Sequence, residues 1–579
     1  MRNAEIAAAF DELGTLYELD GAVRYRVIAY HDAARTVRDC PVSVEELARE
    51  GRATELPGIG KTLQEKIVTL LDTGEIPSAV RLKGKFPPTL IAVTRVPGLG
   101  AKTARRLFDE LEVASLDDLR AAAEAGRVRE LRGLGPKAEE NILAALGRMG
   151  DDDAGAGRLL LSDVLPVAEQ LAQSLREHPA AERVEVAGSA RRLTETCKDI
   201  DLIATASDPE ELAAQLATHP LVSAAGSSGP NGARALTHNG IPVDLRIVAP
   251  DAFGNLLQHF TGSAAHNVQL REDAVSRGLS VSEHGIAETE SGEVIRCGSE
   301  EQVYERLGYA YIEPELREGR GELQAAREGK LPKLIEIGDV RGDLHSHTTL
   351  SDGHNSLEEM AEAARARGYA YLANTDHSAS HGFGDHVTAE QLWQRIDEVR
   401  ELDAKMPRFH LLAGSEVNIG VDGSLDYPED LLAELDWVIG SIHTRFAADE
   451  RVMTERVLAA IENPLVDCIG HLTGRMIGRR EPYPIDVEAV AEAAARTGTM
   501  LEINANPNRR DLSERHARLC ADAGAMIVIN TDAHWVRTLD NMTYGIATAR
   551  RAWLTASEIA NTRPWREFSR LRKRGRKRS

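Results

Sequence analysis

Apolar and polar positions follow three successive rhythms along the chain. Through roughly the first 150 residues, apolar side chains recur at helical spacing, as in Leu63, Ile67, Leu70 and Leu71, with short glycine-bearing turns between. Near residue 190 the period shortens to two. Segments around Asp199-Ile200-Asp201-Leu202-Ile203 and Ile241-Pro242-Val243-Asp244-Leu245-Arg246-Ile247-Val248 then read as strands. Beyond residue 338, short apolar runs ending in a polar group alternate with helical stretches such as Leu357 to Arg367 and Val487 to Arg496. Such alternation predicts parallel strands closed into a barrel, with sites at the strands' carboxyl ends.

The helical third contains a repeat. Pro57-Gly58-Ile59-Gly60-Lys61 recurs as Pro97-Gly98-Leu99-Gly100-Ala101-Lys102 and as Arg132-Gly133-Leu134-Gly135-Pro136-Lys137. Gly-x-Gly allows a tight turn and leaves amides uncovered at the next helix start, where the dipole and a lysine favour an anion. One copy would be an ordinary turn between helices. Three copies, each with a trailing lysine, make the helix-hairpin-helix pattern, which grips a nucleic-acid backbone without reading sequence.

In the middle third, alternate residues of one strand share a face, so Asp199 and Asp201 project together, and Asp244 lies on a second strand. Three convergent carboxylates can hold two Mg²⁺ or Mn²⁺ ions. Gly188-Ser189 at a turn into a helix, with Arg192 beyond, suits a triphosphate. An isolated Asp-x-Asp is usually a solvated strand end; this ordered combination points to nucleotidyl transfer. In the last third, His and carboxylates stand at seven strand ends, more than one ion needs, and mixed imidazole and oxygen donors suit Zn²⁺, Mn²⁺ or Fe²⁺.

Bulk properties narrow the reading. With 579 residues the chain exceeds a single core; 42% hydrophobic with 28% charged residues describes an ordinary soluble protein, and the longest apolar runs fall far short of a membrane span. The opening residues lack a signal-peptide layout, and five scattered cysteines without a Cys-x-x-Cys pair predict buried thiols in a reducing compartment. A net charge of −22 sits awkwardly with nucleic-acid binding, but clustered metal-binding carboxylates contribute to it. Basic charge is segregated at 563–579, nine basic residues against one acidic, read as a solubilising end or a nonspecific nucleic-acid contact.

The order of hairpins, Gly-Ser, Asp-x-Asp, Asp-x-Arg and His259-Phe260-Thr261-Gly262-Ser263, followed by Asn267 and Arg271, resembles DNA polymerase X, the family of DNA polymerase beta. The resemblance implies a lyase-like helix-hairpin-helix domain over 1–90, fingers with two further hairpins over 91–152, a palm over 153–250 and a thumb over 251–318. By it, Asp199, Asp201 and Asp244 would be catalytic metal ligands, and Gly188, Ser189 and Arg192 would touch the incoming triphosphate. Phe260, Gly262, Asn267 and Arg271 would line the nucleotide and template pocket. Gly58, Gly60, Lys61, Gly98, Gly100, Lys102, Gly133, Gly135 and Lys137 would grip DNA. Lys66 matches the family's Schiff-base lysine, with a plain surface lysine as the equal alternative. Asp32 and Thr62 stand where basic groups would meet a 5′-phosphate, His259 replaces a tyrosine, and Pro242 replaces a basic residue.

After a linker at 319–338, residues 339–562 resemble the PHP (polymerase and histidinol phosphatase) domain, with the basic tail following. Motif by motif, His345, His347, Asp352, His377, Glu416, His443, His471, Asp532 and His534 would hold about three ions; His354 is read as a loop histidine. The implied class is multidomain: an all-α helix-hairpin-helix N-terminal region, an α+β nucleotidyltransferase palm with thumb, and a C-terminal (β/α)7-type PHP barrel. The whole resembles the bacterial and archaeal polymerase X architecture. That implies a cytoplasmic, nucleoid-associated monomer that fills gapped or nicked DNA from dNTPs. It also implies 3′–5′ exonuclease or phosphoesterase activity, with 5′-deoxyribose-phosphate lyase or abasic-site cleavage as a further possibility. The alternative is a gap-binding scaffold with an inactive palm and only a working phosphatase. An RNA-tailing enzyme is disfavoured by the hairpins and the thumb motif.

Overall fold

The computed structural model describes residues 1, 3–40, 42–94, 96, 99–131, 133–136, 138–140, 142, 143, 146, 157–378 and 387–573. Gly98, Lys137 and tail residues 574–579 lie outside them.

Helices from Asn3–Leu19 to Leu116–Glu124 wrap one apolar core running from Ile6 through Phe86 and Leu107 to Leu146. The segments expected as lyase-like domain and fingers therefore share a core. Gly58 (φ +77°) and Gly133 (φ +89°) take the left-handed conformation that glycine enters without strain. Gly60 and Gly100 cap helices Lys61–Thr73 and Ala101–Leu111 with nearly the same extended geometry. A β-carbon at Gly60, Gly100 or Gly135 would meet nothing within 4 Å. The first-turn amides, which have no intrahelical acceptor, thus open outward.

The middle of the chain is a five-stranded sheet in the order Ala181–Val186, Ile200–Ala206, Pro242–Ile247, Gly232–Thr237, Val222–Gly229. Its two carboxylate-bearing strands pair in parallel. Helices Leu161–Arg176 and Pro209–Ala217 pack into the same apolar core, while helix Phe253–Thr261 buries Phe253, Leu256 and Leu257 against Ala187 and Ile203. A smaller unit follows, with a three-stranded antiparallel sheet and a core around Leu270, Tyr304 and Leu316. The stretch read as a linker, 319–338, is ordered and extends that core: helix Glu322–Glu328 contributes Leu323 and Ala326, and Glu322 is buried against His266 at 2.8 Å. Its many charged residues leave the helix an apolar face only a few residues wide, which the sequence does not announce.

Seven parallel strands form the last unit: Gly342–Asp343, Tyr371–Asn374, His410–Asn418, Trp437–Ser441, Cys468–Ile469, Met500–Asn504 and Ile527–Asn530, adjacent in sequence order. A parallel bridge from Ser346 to Ala533 and the bond from His347 N to Ala533 O (2.8 Å) bring first and last strands together, nearly closing the barrel. The expected basic tail begins as structure. Helix Trp565–Leu571 inserts Phe568 against Tyr371 (ring centroids 4.8 Å) and Trp437 (5.7 Å), at the starts of their strands. Trp565, Phe568 and Leu571 share one face with the barrel interior, a three-residue spacing that the basic run obscured. All five cysteines are buried and unpaired by disulfide. No helix among the described residues is long and apolar enough to cross a membrane.

Barrel and sheet are joined at one loop. Arg510 Nη2 donates to Leu193 O (3.1 Å), Arg551 Nη1 to Arg192 O (2.8 Å), and Arg475 to Glu195 (3.2 Å). Those residues follow directly on the Gly-Ser turn.

Candidate active sites

In the sheet, register brings the acidic residues together. Asp201 lies directly beside Asp244 on the parallel neighbour. Asp199 immediately precedes its strand rather than lying within it, two residues from Asp201 and on the same face. Asp244 accepts from Arg246 (3.0 Å). The Asp201 carboxyl is pushed up to about 7, first by burial and then by the charges of Asp199 and Asp244. Mutual repulsion of this kind is what a bound cation relieves, and an all-carboxylate set suits hard divalent ions.

Gly188, Ser189, Arg192, Asp199, Asp201, Phe260, Gly262, Asn267 and Arg271 line one cavity of about 530 Å³, together with Arg158, Lys198 and His259. Asp244 faces a neighbouring cleft with Arg234 and Arg246. Asn267 is fixed by Gln258 (2.9 Å) and by the His259 carbonyl (2.8 Å), and Arg271 meets His259 Nδ1 at 3.4 Å. Arg192 donates to the Thr261 carbonyl (2.5 Å) and to Glu318 (3.1 Å). Glu318 also accepts from Arg551 of the barrel unit (2.9 Å), and Glu514 holds Arg551 from the other side at 2.7 Å. No sequence signal pointed to Glu318 or Arg551, because their role rests on a contact 233 residues apart. Lys66, half-buried on helix Lys61–Thr73, donates to Ser78 Oγ (3.2 Å); Lys61 and Lys102 are exposed.

In the barrel, all nine expected ligands meet at the carboxyl ends of the strands. Three overlapping groups have donor atoms within 4.8 Å of one another: His347, Asp352, His377 and His534; His345, His347 and Asp532; and His377, Glu416 and His443. His471 Nε2 joins at 2.9 Å from Glu416. Burial favours the neutral carboxyl at Glu416, yet the imidazoles of His443, His345 and His377 outweigh it and hold the group well below the usual carboxylate range. Burial lowers His377, but Glu416 and Asp352 carry it up to about 10, whereas burial carries His443 down to about 4. Glu416 and Asp352 thus favour a positive charge on the neighbouring His377, a charge that a bound cation would replace.

The donor set also fits ions by orientation. Glu502 accepts at His345 Nδ1 (2.7 Å), which turns Nε2 into the cluster, where it faces Glu416 at 3.3 Å and Asp532 at 3.6 Å without hydrogen-bond geometry. A carboxylate behind a histidine commonly orients it for metal. Nothing in the sequence marks Glu502 for this position; only the fold shows that it backs His345. Asp376 likewise ties down the loop of 347–352 through Thr348 N and Ser351 Oγ, both at 2.7 Å. His471 (φ +26°) and Asp532 (φ +53°) hold positive φ, a strain that persists where surroundings impose it, often at functional sites.

Over 576 residues, 99% of this chain and 100% of the other protein, the sequence is 36% identical to the DNA polymerase/3′-5′ exonuclease PolX of Bacillus subtilis (strain 168). The chain belongs to the PolX family. Family descriptions match along its length: a helix-hairpin-helix domain over 1–76, a SAM-like helix-hairpin-helix tandem over 90–148, the DNA polymerase beta thumb over 256–318 and the PHP domain over 343–506. A probable phosphatase of Thermoanaerobacter sp. (strain X514) is 33% identical over 38% of this chain and 89% of its own length. Another, from Shewanella sediminis (strain HAW-EB3), is 31% identical over 41% of this chain and 95% of its own. The multidomain class expected from the motifs is therefore that of PolX, with hairpins, thumb and PHP barrel in the expected order.

Proposed function

We propose that this PolX chain fills short gaps in cytoplasmic DNA from dNTPs in the sheet unit and trims 3′ ends hydrolytically in the barrel. The observation that carries the first half is the register setting Asp201 beside Asp244 at the edge of a cavity holding Gly188, Ser189 and Arg192. Divalent ions, two Mg²⁺ or Mn²⁺ at the aspartates and about three Zn²⁺, Mn²⁺ or Fe²⁺ at the barrel residues, would supply charge neutralisation and an activated oxygen nucleophile. Asp199, Asp201 and Asp244 would hold those ions against the reacting groups. Arg192 exchanges Glu318 for a phosphate oxygen, while Phe260 and Asn267 form the wall for the base and sugar. The hairpin glycines, with Lys61 and Lys102, hold the duplex backbone and keep register independent of sequence.

Primer extension on a gapped duplex tests this reading. Asp244→Ala should abolish nucleotide addition while DNA binding survives; undiminished extension would reject the aspartate assignment. His377→Ala should lose end trimming and keep extension. Lys66 as a Schiff-base nucleophile predicts a borohydride-trapped adduct with abasic DNA that Lys66→Ala fails to form.

Likeness to the probable phosphatases favours a second reading, in which the barrel releases phosphate from blocked 3′ ends only. Primers ending in 3′-hydroxyl and 3′-phosphate, compared under Mn²⁺, separate the two: phosphate release without shortening selects the phosphatase.

A further inference from the structure

The rim of the barrel site carries an aromatic pair that the ligand cluster does not use. Trp535 is 39% exposed, although a tryptophan on a surface leaves apolar area in water. Its ring stacks on that of His354, with centroids 3.8 Å apart and planes at 24°. The guanidinium of Arg537 lies 4.9 Å from the Trp535 centroid. His354, exposed in a loop, has no place among the expected ligands.

The pair is held to the cluster by backbone. His354 N donates to His534 O (2.8 Å), and Val536 N donates to Asn355 Oδ1 (3.0 Å), so the loops of 352–355 and 534–536 are zipped together. Each loop contributes one member of the four-residue ligand group, Asp352 or His534, and one ring of the stack, His354 or Trp535. The platform is therefore fixed within two residues of groups that would meet the scissile phosphate. Aromatic faces bind any base by stacking, without reading its edges, and an unpaired 3′-terminal base exposes such a face. A phosphate monoester offers nothing to stack.

We propose that His354 and Trp535 form a stacking platform for the nucleobase of an unpaired 3′-terminal nucleotide. The proposal deepens the trimming activity assigned to the barrel and rests on that reading. It makes the rim a device for specificity: the terminal base is seated by its π-face, which favours frayed or single-stranded ends over paired ones.

Two measurements on the full-length protein test it. The first needs no turnover. A single-stranded oligonucleotide with 5-iodouridine at its 3′ end is photo-crosslinked in the presence of a chelator, and the adduct is mapped by mass spectrometry. The expected adduct falls on the peptide containing Trp535 or that containing His354; adducts confined to other segments overturn the platform. The second compares Trp535→Ala and Trp535→Phe with the unaltered protein under Mn²⁺ on two unpaired 3′ ends, one with a terminal base and one whose terminal residue is an abasic tetrahydrofuran. Trp535→Ala should lose roughly tenfold to a hundredfold on the end with a base, the range for one base stack, while the abasic end is trimmed at the original rate. Trp535→Phe should recover most of the loss. A parallel loss on both substrates would show that the ring only braces the loops and overturns the proposal, as would no loss on either. If the rim peptide is crosslinked but the unaltered protein shortens no DNA end, the platform stands and the trimming reading fails.

Discussion

A β-carbon on Gly188 would collide with Oδ2 of Asp201, so the Gly-Ser turn and the central aspartate touch with no room between them. Gly188 also sits at φ +63°, where a side chain is strained. Gly188→Ala should displace Asp201 and lower nucleotide incorporation by about 100-fold, the scale of a misplacement near 1 Å. Hydrolysis of bis(p-nitrophenyl) phosphate by the barrel should be unchanged, which single-nucleotide incorporation and diester assays on the same preparation will check.

Asp201 should leave a signature in stability. Its folded pKa, about 7, lies above the ordinary aspartate value, so the folded chain keeps a proton that the unfolded chain releases near pH 4. The metal-free protein therefore loses stability through this group as pH rises from about 4 to about 7. Asp201→Asn removes the titration. Melting temperatures in chelator should show the variant gaining on the unaltered protein across that window, with the difference levelling off above pH 7. Added Mg²⁺ should shrink it.

Arg551 connects the barrel to the sheet. It is 5% exposed and bonded to Glu318, Glu514 and the Arg192 carbonyl. Arg551→Leu leaves Glu318 with Arg192 and Glu514 with Arg320, both carboxylates half-buried, and the lost charged hydrogen bonds should cost about 1–3 kcal/mol. Glu318 would then draw more strongly on Arg192, and the KM for dNTP should rise with little change in kcat. Thermal melts and steady-state incorporation measure the two effects. A normal KM in a destabilised variant would limit Arg551 to a structural role.

Phe568 closes the end of the barrel opposite the ligands. Phe568→Ala should cost about 3–5 kcal/mol, as for other fully buried aromatic truncations. Melting curves, with hydrolysis measured well below the transition, check that the floor supports the site only through stability.

Much of both sites was legible in the chain. Two-residue spacing put Asp199 and Asp201 on one face, because side chains alternate along extended backbone. Histidines and carboxylates at the ends of apolar runs marked the barrel ligands, because a βα alternation leaves strand ends as the place where loops converge. The hairpin glycines were legible for the same local reason: a tight turn into a helix needs residues without a side chain.

Other relationships had no local cause. Asp244 reaches Asp201 only because its strand pairs in parallel across an intervening hairpin. Glu502 and Asp376 are acidic residues at strand ends like the expected ligands, and only the fold shows that one backs His345 while the other ties down Thr348 and Ser351. Charge counts misread 319–338 and 563–573, where a few apolar residues on one helix face dock into cores that exist only after distant strands assemble. Backbone periodicity over a few residues is enough to specify most of the elements, the chemistry they carry and the face each side chain takes. That Arg551 reaches Glu318 and that His354 stacks on Trp535 follows only from the assembled fold. Such contacts join residues far apart in the chain, and their partners are selected by the packing of whole units rather than by any local preference.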